Sequence, residues 1–180
     1  MKCFLDMDGV LSDFNSGVNK AHGRPDPYLD KSNHGIYDTE KLWGMSSTEF
    51  YKPTNSVEFW AGLEKMPEAD EIVEMVTKKF GENNIAILSA PSPFIGCAGA
   101  KRLWVHKHYP QFERRVILAT AGTKHFIAGP KKILIDDRDS NVAEFHAGGG
   151  IGMLVPRPWN SRYDACERAV KYIRFQLERL

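Results

Sequence analysis

Two short apolar runs of this chain end in acidic residues, and this feature constrains the fold most strongly. Near the start, the run that ends at Leu5 is followed by Asp6 and Asp8, which lie two residues apart and precede a glycine. Much later, a run of isoleucine and leucine ends at Asp136 and Asp137. Short apolar runs bounded by turn residues are typical of buried strands. The acids at their ends therefore predict one crevice in which carboxylates gather.

Helical patterns separate the apolar runs along most of the chain. Residues 67–80 and the terminal stretch 162–180 both show apolar residues at helical spacing. Alternating strands and helices predict an α/β fold, Rossmann-like, with a mostly parallel sheet between helices. In such sheets ligands bind beyond the carboxyl ends of the strands. Asp6, Ser89 and Asp136 are all expected at such ends.

One long stretch breaks the alternation. Residues 23–60 contain three prolines, several polar turns and many aromatic side chains. The stretch is too long for a simple connection and too aromatic for a disordered linker. We therefore interpret residues 15–66 as a small helical cap that lies over the site. Residues 1–14 and 67–180 then form the catalytic core.

Composition excludes several classes of protein. The 180 residues carry a formal net charge of +1 and no basic block, which argues against a partner that is a nucleic-acid polymer. No apolar run approaches the roughly 20 residues that span a bilayer, so no membrane partner is expected. The three cysteines are widely spaced and form no CxxC motif, which favours reduced thiols. The chain enters its first strand directly without a signal peptide, and we expect a cytoplasmic protein.

Clustered carboxylates suit one difficult reaction in particular. Phosphate monoesters hydrolyse very slowly without a catalyst. A carboxylate can divide the reaction into two steps by forming an aspartyl-phosphate. A cation must offset the repulsion between the carboxylate and the phosphate, and Mg²⁺ prefers oxygen ligands. The acid pairs thus indicate a Mg²⁺-dependent phosphatase.

The stretch from Asp6 to Val10 resembles the first motif of the haloacid dehalogenase phosphatase superfamily, DxDGV. The resemblance implies that Asp6 is the nucleophile and a metal ligand. It also implies that Asp8 protonates the leaving oxygen and then activates water, while its backbone carbonyl binds the metal. Gly9 permits the sharp turn that this arrangement requires.

Two further motifs of the superfamily have counterparts at strand ends. Ser89 ends an apolar strand, and the resemblance implies that its hydroxyl and the backbone N–H of Ala90 bind phosphate oxygens. Asp136 corresponds to the side-chain metal ligand of the last motif. Asp137 is expected to lie behind the ligands and to orient the catalytic lysine.

The catalytic lysine of the superfamily precedes the last acidic strand. Lys124 is our choice, and the resemblance implies that it offsets charge on the phosphate and on the nucleophile. Lys131 and Lys132 are the alternatives, although they lie close to the start of the strand and so far from the crevice.

A narrower resemblance covers nearly the whole chain. The first motif with its continuation to Phe14, the segment 59–69, the stretch 88–91, the acidic strand end and the late Pro158-Trp159-Asn160 are similar to the 5′(3′)-deoxyribonucleotidase family. This implies a nucleoside monophosphate as small-molecule substrate and a helical cap after the first motif. A nucleobase needs stacking faces. The aromatic side chains proposed to supply them are Phe14, Trp43, Phe59 and Trp60.

Other readings stay open at this point. The same fold and chemistry would serve a phosphatase of another small phosphorylated metabolite. A non-catalytic nucleotide-binding protein is a third hypothesis. The sequence leaves open the base, the choice between ribose and deoxyribose, and the choice between 5′ and 3′ phosphate. Exposed aromatic residues in the cap also leave a homodimer open.

Overall fold

A five-stranded parallel sheet forms the centre of the computed structural model, which describes residues 1–180. The strand order is β3-β2-β1-β4-β5. The strands are β1 (Lys2–Leu5), β2 (Ile85–Ser89), β3 (Val116–Leu118), β4 (Lys132–Asp136) and β5 (Ile151–Leu154). The predicted α/β class with a mostly parallel sheet is confirmed.

Eight α-helices accompany the sheet. They are α1 (Phe14–His22), α2 (Thr39–Leu42), α3 (Ser47–Tyr51), α4 (Val57–Ala61), α5 (Ala69–Phe80), α6 (Cys97–His108), α7 (Asp139–Ala147) and α8 (Ala169–Glu178). The terminal helix predicted from residue 162 begins only at Ala169, because Tyr163–Arg168 forms a 3₁₀ turn. Asn160 accepts a hydrogen bond from the N–H of Arg162 and so ties this turn to the preceding loop. None of the helices has both the length and the apolar character to cross a membrane.

The core divides unequally between the two faces of the sheet. Side chains alternate along each strand, so Leu5 and Ile135 face one side and Phe4 and Leu134 the other. The first side carries the larger cluster, to which α5, α6 and α8 contribute. On the second side the buried cluster is small and includes Phe145 of α7. The sheet is thus a middle layer between helices.

The strand order places the acidic ends side by side. Leu5 pairs with Ile87 of β2 on one side and with Ile135 of β4 on the other. The N–H of Asp6 donates to the carbonyl of Ile135 at 2.9 Å, so Asp6 lies beside Asp136. The chain leaves β1 first toward β2 and only later returns to β4, which creates a crevice at the carboxyl end of β1.

The segment between β1 and α5 leaves and rejoins the core through paired backbone. Asp13 N–H donates to Glu64 at 2.8 Å, and Met66 N–H donates to Leu11 at 2.9 Å. Helices α1 to α4 lie between these contacts and are joined by turns and short 3₁₀ helices. The segment is therefore helical and tied at its base. Its division from the core at residues 15–66 stays a prediction.

A loop after β5 holds the crevice together from outside. Arg157 Nε donates to the carbonyl of Gly9 at 2.6 Å, and its guanidinium pairs with Glu68. Asn160 Nδ2 donates to the carbonyls of Asp137 and Val155, each at 2.8 Å. This one loop thus fixes the turn after β1 and the turn after β4 relative to each other.

Replacing Asn160 with alanine should destabilise the protein. The side chain is fully buried, and its loss leaves two carbonyls and two N–H groups without partners. We expect a loss of about 2–3 kcal/mol in the free energy of unfolding, measured by urea denaturation. The control is Asn55→Ala, at an exposed asparagine, which should change it by less than about 0.5 kcal/mol. Equal stability of the two variants would contradict the assignment.

Candidate active site

Asp6 lies at the centre of the crevice, directly after β1. Its Oδ1 accepts hydrogen bonds from the N–H of Met7 at 2.7 Å and pairs with Lys124 Nζ at 2.8 Å. No donor contacts its Oδ2. One oxygen of the carboxylate is therefore held, and the other is available to a ligand in the crevice.

Lys124 connects Asp6 with Asp136. It begins a short 3₁₀ helix before β4, and its side chain is buried between the two carboxylates. Its Nζ lies 2.7 Å from Asp136 Oδ2. Lys131 and Lys132 lie at the opposite end of β4, where Lys132 Nζ donates to the carbonyl of Ile127. Of the three lysines considered, Lys124 is the one that the structure brings to the acids.

Asp136 is held by several donors. Asn141 Nδ2 lies 3.0 and 3.1 Å from its two carboxylate oxygens, and the N–H of Arg138 donates to Oδ1 at 2.9 Å. Asn141 belongs to the first turns of α7, so the helix that follows β4 fixes the acid at its end. The side chain is fully buried.

Asp137 does not orient Lys124, and that prediction is wrong. Its Oδ2 accepts a hydrogen bond from Trp159 Nε1 at 2.6 Å, while Oδ1 is buried without any partner. The two neighbouring acids at the end of β4 point in different directions, so only Asp136 reaches the lysine. Gly9 keeps the space that Asp137 occupies, because a Cβ at residue 9 would overlap its carboxylate.

Three carboxylates in this arrangement fit a divalent metal. Asp6, Asp136 and Asp137 each offer an oxygen, and these atoms lie within 4.8 Å of one another. The buried Oδ1 of Asp137 has no partner in the chain and supports this fit, since buried acceptors in proteins are almost always satisfied. Oxygen donors alone favour a hard cation such as Mg²⁺.

Burial also affects the protonation of these acids. Burial raises the pKa of Asp6 to about 7; Lys124 opposes this shift, and the nearby carboxylates of Asp136 and Asp8 add to it. Burial and the neighbouring acids raise the pKa of Asp137 well above its usual range. Burial alone would lower the pKa of Lys124, but its two carboxylate partners raise it above the ordinary value. Lys124 therefore stays charged, but its single positive charge does not offset the burial and mutual repulsion of the acids.

Asp8 turns away from the other three acids. Its Oδ1 accepts a hydrogen bond from Ser12 Oγ at 3.0 Å, and its Oδ2 pairs with Lys101 of α6. The side chain of Asp8 is 26% exposed, whereas that of Lys101 is fully buried. The sequence interpretation missed Lys101. A lysine on the helix face that carries Cys97, Ala100 and Trp104 was the signal that could have revealed it.

Ser89 and Ala90 lie on the other side of Asp6, where β2 ends. Ser89 Oγ accepts a hydrogen bond from Lys101 Nζ at 3.1 Å, which leaves its own proton free to be donated. The backbone N–H groups of Asp8 and Ala90 donate no hydrogen bond within the chain. These donors follow the ends of β1 and β2, which are neighbours in the sheet, and donors of this kind can bind phosphate oxygens.

A cleft between the acids and the helical segment opens above this site. Its cavity volume is about 90 Å³, and the cavity is continuous with open solvent. The cleft is lined by acidic, polar and aromatic residues. They are Asp8, Gly9, Phe14, Asn15, Tyr28, Tyr37, Thr39, Glu40, Phe50, Tyr51, Asp137 and Trp159.

Of the four aromatic residues proposed to contact a nucleobase, only Phe14 lines this cleft. Trp60 is buried in the main core, and Phe59 packs against that core. Trp43 packs on His22 and Phe50 instead. Trp60 stacks on the rear of Phe14 at 5.2 Å between ring centroids. These three side chains support the wall of the cleft, because a small helical segment needs its own apolar core.

Comparison with known proteins agrees with this geometry. Residues 1–177 match the family described as 5′ nucleotidase, deoxy (Pyrimidine), cytosolic type C protein. The chain belongs to this family. It is 29% identical to the cytosolic 5′(3′)-deoxyribonucleotidase of Homo sapiens over 150 residues, covering 78% of this chain and 72% of the human protein. It is 30% identical to the mitochondrial enzyme of Mus musculus, covering 81% of this chain and 69% of the mouse protein.

Solved structures support the fold. A haloacid dehalogenase-like hydrolase family protein of Streptococcus pneumoniae superposes with a TM-score of 0.52 at 11% identity, covering 93% of this chain and 90% of that protein. The L-2-haloacid dehalogenase of Xanthobacter autotrophicus gives 0.51 at 13% identity, covering 95% and 86%. The family member thus has the haloacid dehalogenase fold.

The raised pKa of Asp6 predicts how stability depends on pH without metal. Between its ordinary pKa near 3.8 and about 7, the folded state binds more protons than the unfolded state. The free energy of unfolding should therefore fall as pH rises through this window, and Asp137 contributes with the same sign. Thermal denaturation in EDTA at several pH values between 5 and 7.5 measures this.

The matched control is Asp6→Asn, which cannot ionise at this position. Its stability should depend less on pH than that of the unsubstituted protein, and Mg²⁺ should stabilise the unsubstituted protein more at pH 7.5 than at pH 5. Parallel pH profiles of the two proteins in EDTA would contradict the analysis.

Proposed function

We propose that this protein is a Mg²⁺-dependent phosphatase that hydrolyses nucleoside 5′-monophosphates, and deoxyribonucleotides in particular, through an aspartyl-phosphate. Removal of phosphate from the 3′ position belongs to the same proposal, because the relatives are named 5′(3′)-deoxyribonucleotidases. The observation that carries it is Asp6, which lies beside Lys124, Asp136 and Asp137 and keeps its Oδ2 free of hydrogen-bond donors from the chain.

Substrate binding begins with the phosphate. The hydroxyl of Ser89 and the N–H groups of Asp8 and Ala90 donate to its oxygens, and Lys124 offsets part of its charge. Asp6, Asp136 and Asp137, together with the backbone carbonyl of Asp8, would hold Mg²⁺. When bound there, the ion supplies positive charge that lowers the repulsion between carboxylates and phosphate.

The first chemical step transfers the phosphoryl group to the enzyme. Asp6 Oδ2 attacks phosphorus while Oδ1 stays bound to Lys124 and to the N–H of Met7. As the bond between phosphorus and the ester oxygen breaks, Asp8 donates a proton to that oxygen, and the nucleoside leaves with a hydroxyl group.

The second step restores the enzyme. Asp8, now a carboxylate, accepts a proton from a water molecule, and the water oxygen attacks the phosphorus of the aspartyl-phosphate. The bond to Asp6 breaks and inorganic phosphate leaves. The position of Asp8 at the rim of the crevice supports this role, because its partly exposed carboxylate borders both the buried acids and the open cleft.

The cleft supports a nucleoside as the leaving group. Phe14 and Phe50 offer aromatic faces, while Asn15 and Glu40 offer polar atoms along the same wall. A nucleobase has flat apolar faces and polar edges, which match these aromatic and polar groups of the cleft. Within this proposal the enzyme acts in the cytoplasm on small molecules, and its homodimer stays a prediction that light scattering would check.

Phosphate release from ribo- and deoxyribonucleoside 5′- and 3′-monophosphates tests the function. We expect turnover with Mg²⁺ and none in EDTA, with deoxyribonucleotides preferred. Asp6→Asn should lower kcat by more than about 10³-fold, because it removes the attacking oxygen. Turnover confined to other phosphate esters would favour a phosphatase of another metabolite. Tight nucleotide binding without turnover would favour a non-catalytic binding protein.

Phe14→Ala tests whether the cleft receives the base. Loss of one stacking face should cost about 1–2 kcal/mol of binding, or roughly 5–30-fold in KM for a nucleotide. KM for p-nitrophenyl phosphate, which lacks a base, should change much less. Phe175→Ala is the control, since Phe175 lies exposed on α8. An equal change in KM for both substrates in Phe14→Ala would contradict the assignment.

A further inference from the structure

Lys101 is a buried cation that the mechanism above does not use. It lies on α6, and its side chain has no exposed surface. Burial of an ammonium group is costly unless partners compensate for the lost water. Neighbouring groups must therefore compensate for the buried charge of Lys101.

Three contacts surround the ammonium group. Nζ pairs with Asp8 Oδ2, donates to Ser89 Oγ at 3.1 Å, and lies 5.0 Å from the centroid of the Trp60 ring. The first two partners are the proposed proton donor and a proposed phosphate ligand. Trp60 belongs to α4 in the helical segment, so Lys101 also connects that segment to the site.

The two oxygens of Asp8 are fixed from two directions. Lys101 holds Oδ2, and Ser12 Oγ donates to Oδ1 at 3.0 Å. A carboxylate with one such contact can rotate, whereas two contacts from different elements select one orientation. Both supports are fully buried, so solvent does not compete for either contact.

The two lysines of the site contact different residues. Lys124 contacts Asp6 and Asp136, the attacking residue and a metal ligand. Lys101 contacts neither of them, and its polar contacts are with Asp8 and Ser89. Loss of Lys101 should therefore affect the departure of the leaving group more than the attack on phosphorus.

We propose that Lys101 is a positioning residue that aims the carboxyl group of Asp8 at the leaving ester oxygen. The inference rests on the proposed phosphatase activity. In the first step Asp8 is protonated on Oδ1, the oxygen that Lys101 does not contact, and this proton passes to the ester oxygen while the phosphorus–oxygen bond breaks and the bond to Asp6 forms. Lys101 keeps all its protons and forms no bond to the substrate.

Leaving groups differ in their need for this proton. p-Nitrophenolate departs readily as an anion, whereas phenolate and a nucleoside alkoxide depart much less readily and need a proton. General acid catalysis contributes about 10²–10⁴-fold where it operates. A badly aimed Asp8 should therefore slow the poor leaving groups selectively.

The test compares kcat/KM of Lys101→Met for p-nitrophenyl phosphate, phenyl phosphate and a deoxyribonucleoside 5′-monophosphate. Methionine keeps much of the buried apolar stem and removes the ammonium group. We expect a loss of about 10²-fold or more on phenyl phosphate and the nucleotide, and less than about 5-fold on p-nitrophenyl phosphate. Lys107→Met, at an exposed position of the same helix, should change none of the three values.

The double variant with Asp8→Asn adds a second readout. Since the positioned proton is then absent, Lys101→Met should add little further loss on phenyl phosphate. If Lys101→Met does not fold, as judged by thermal denaturation, Lys101→Arg replaces it. Arginine keeps the charge but moves the donor atoms, and it should show the same selective loss at smaller size.

Equal losses on all three substrates would overturn the proposal, because Lys101 would then act through the phosphate or through folding. Additive losses in the double variant would overturn it as well. An unsubstituted enzyme that cleaves the aryl phosphates but no nucleotide would refute the proposed substrate, while the aryl pair still decides the role of Lys101. Absence of all phosphatase activity would overturn both proposals.

Discussion

Burial of several carboxylates at one end of a parallel sheet is the constraint on which the rest of this structure depends. Asp6, Asp136 and Asp137 are almost completely removed from water, and their oxygens lie within 4.8 Å of one another. Such an arrangement is unfavourable unless positive charge and hydrogen-bond donors accompany it. Lys124 supplies one charge, and the three acids together with the unpartnered oxygen of Asp137 could hold a metal ion that supplies more. The pKa of Asp6 is raised because burial and the neighbouring acids outweigh the effect of Lys124.

The surrounding structure makes this burial tolerable by fixing each acid separately. Asn141 holds Asp136, Trp159 holds Asp137, and the N–H of Met7 holds Asp6. The loop that contains Trp159 also contacts the turn after β1 through Arg157. Because these supports come from distant parts of the chain, the geometry of the site depends on the complete fold rather than on any single motif.

Two buried lysines, Lys124 and Lys101, pair with different acids of the site. Lys124 contacts Asp6 and Asp136, whereas Lys101 contacts Asp8 and Ser89. The helical segment contacts the second lysine, since Trp60 lies against Lys101 and also stacks on Phe14 in the wall of the cleft. Trp60 therefore connects the wall of the cleft with the buried cation beside Asp8.

The sequence by itself determined the strands, the parallel sheet and the residues at the strand ends, because apolar runs and acidic pairs are local patterns. It also indicated Lys124, whose place before β4 follows from chain order. The tertiary structure alone decided the start of α8, the partner of Asp137, the contact between Lys101 and Asp8, and which of the four proposed aromatic side chains lines the cleft. Asp137 and Trp159 are 22 residues apart, and Lys101 and Asp8 are 93 apart. Contacts across such separations depend on how helices and loops pack on the sheet, and local sequence patterns do not predict that packing.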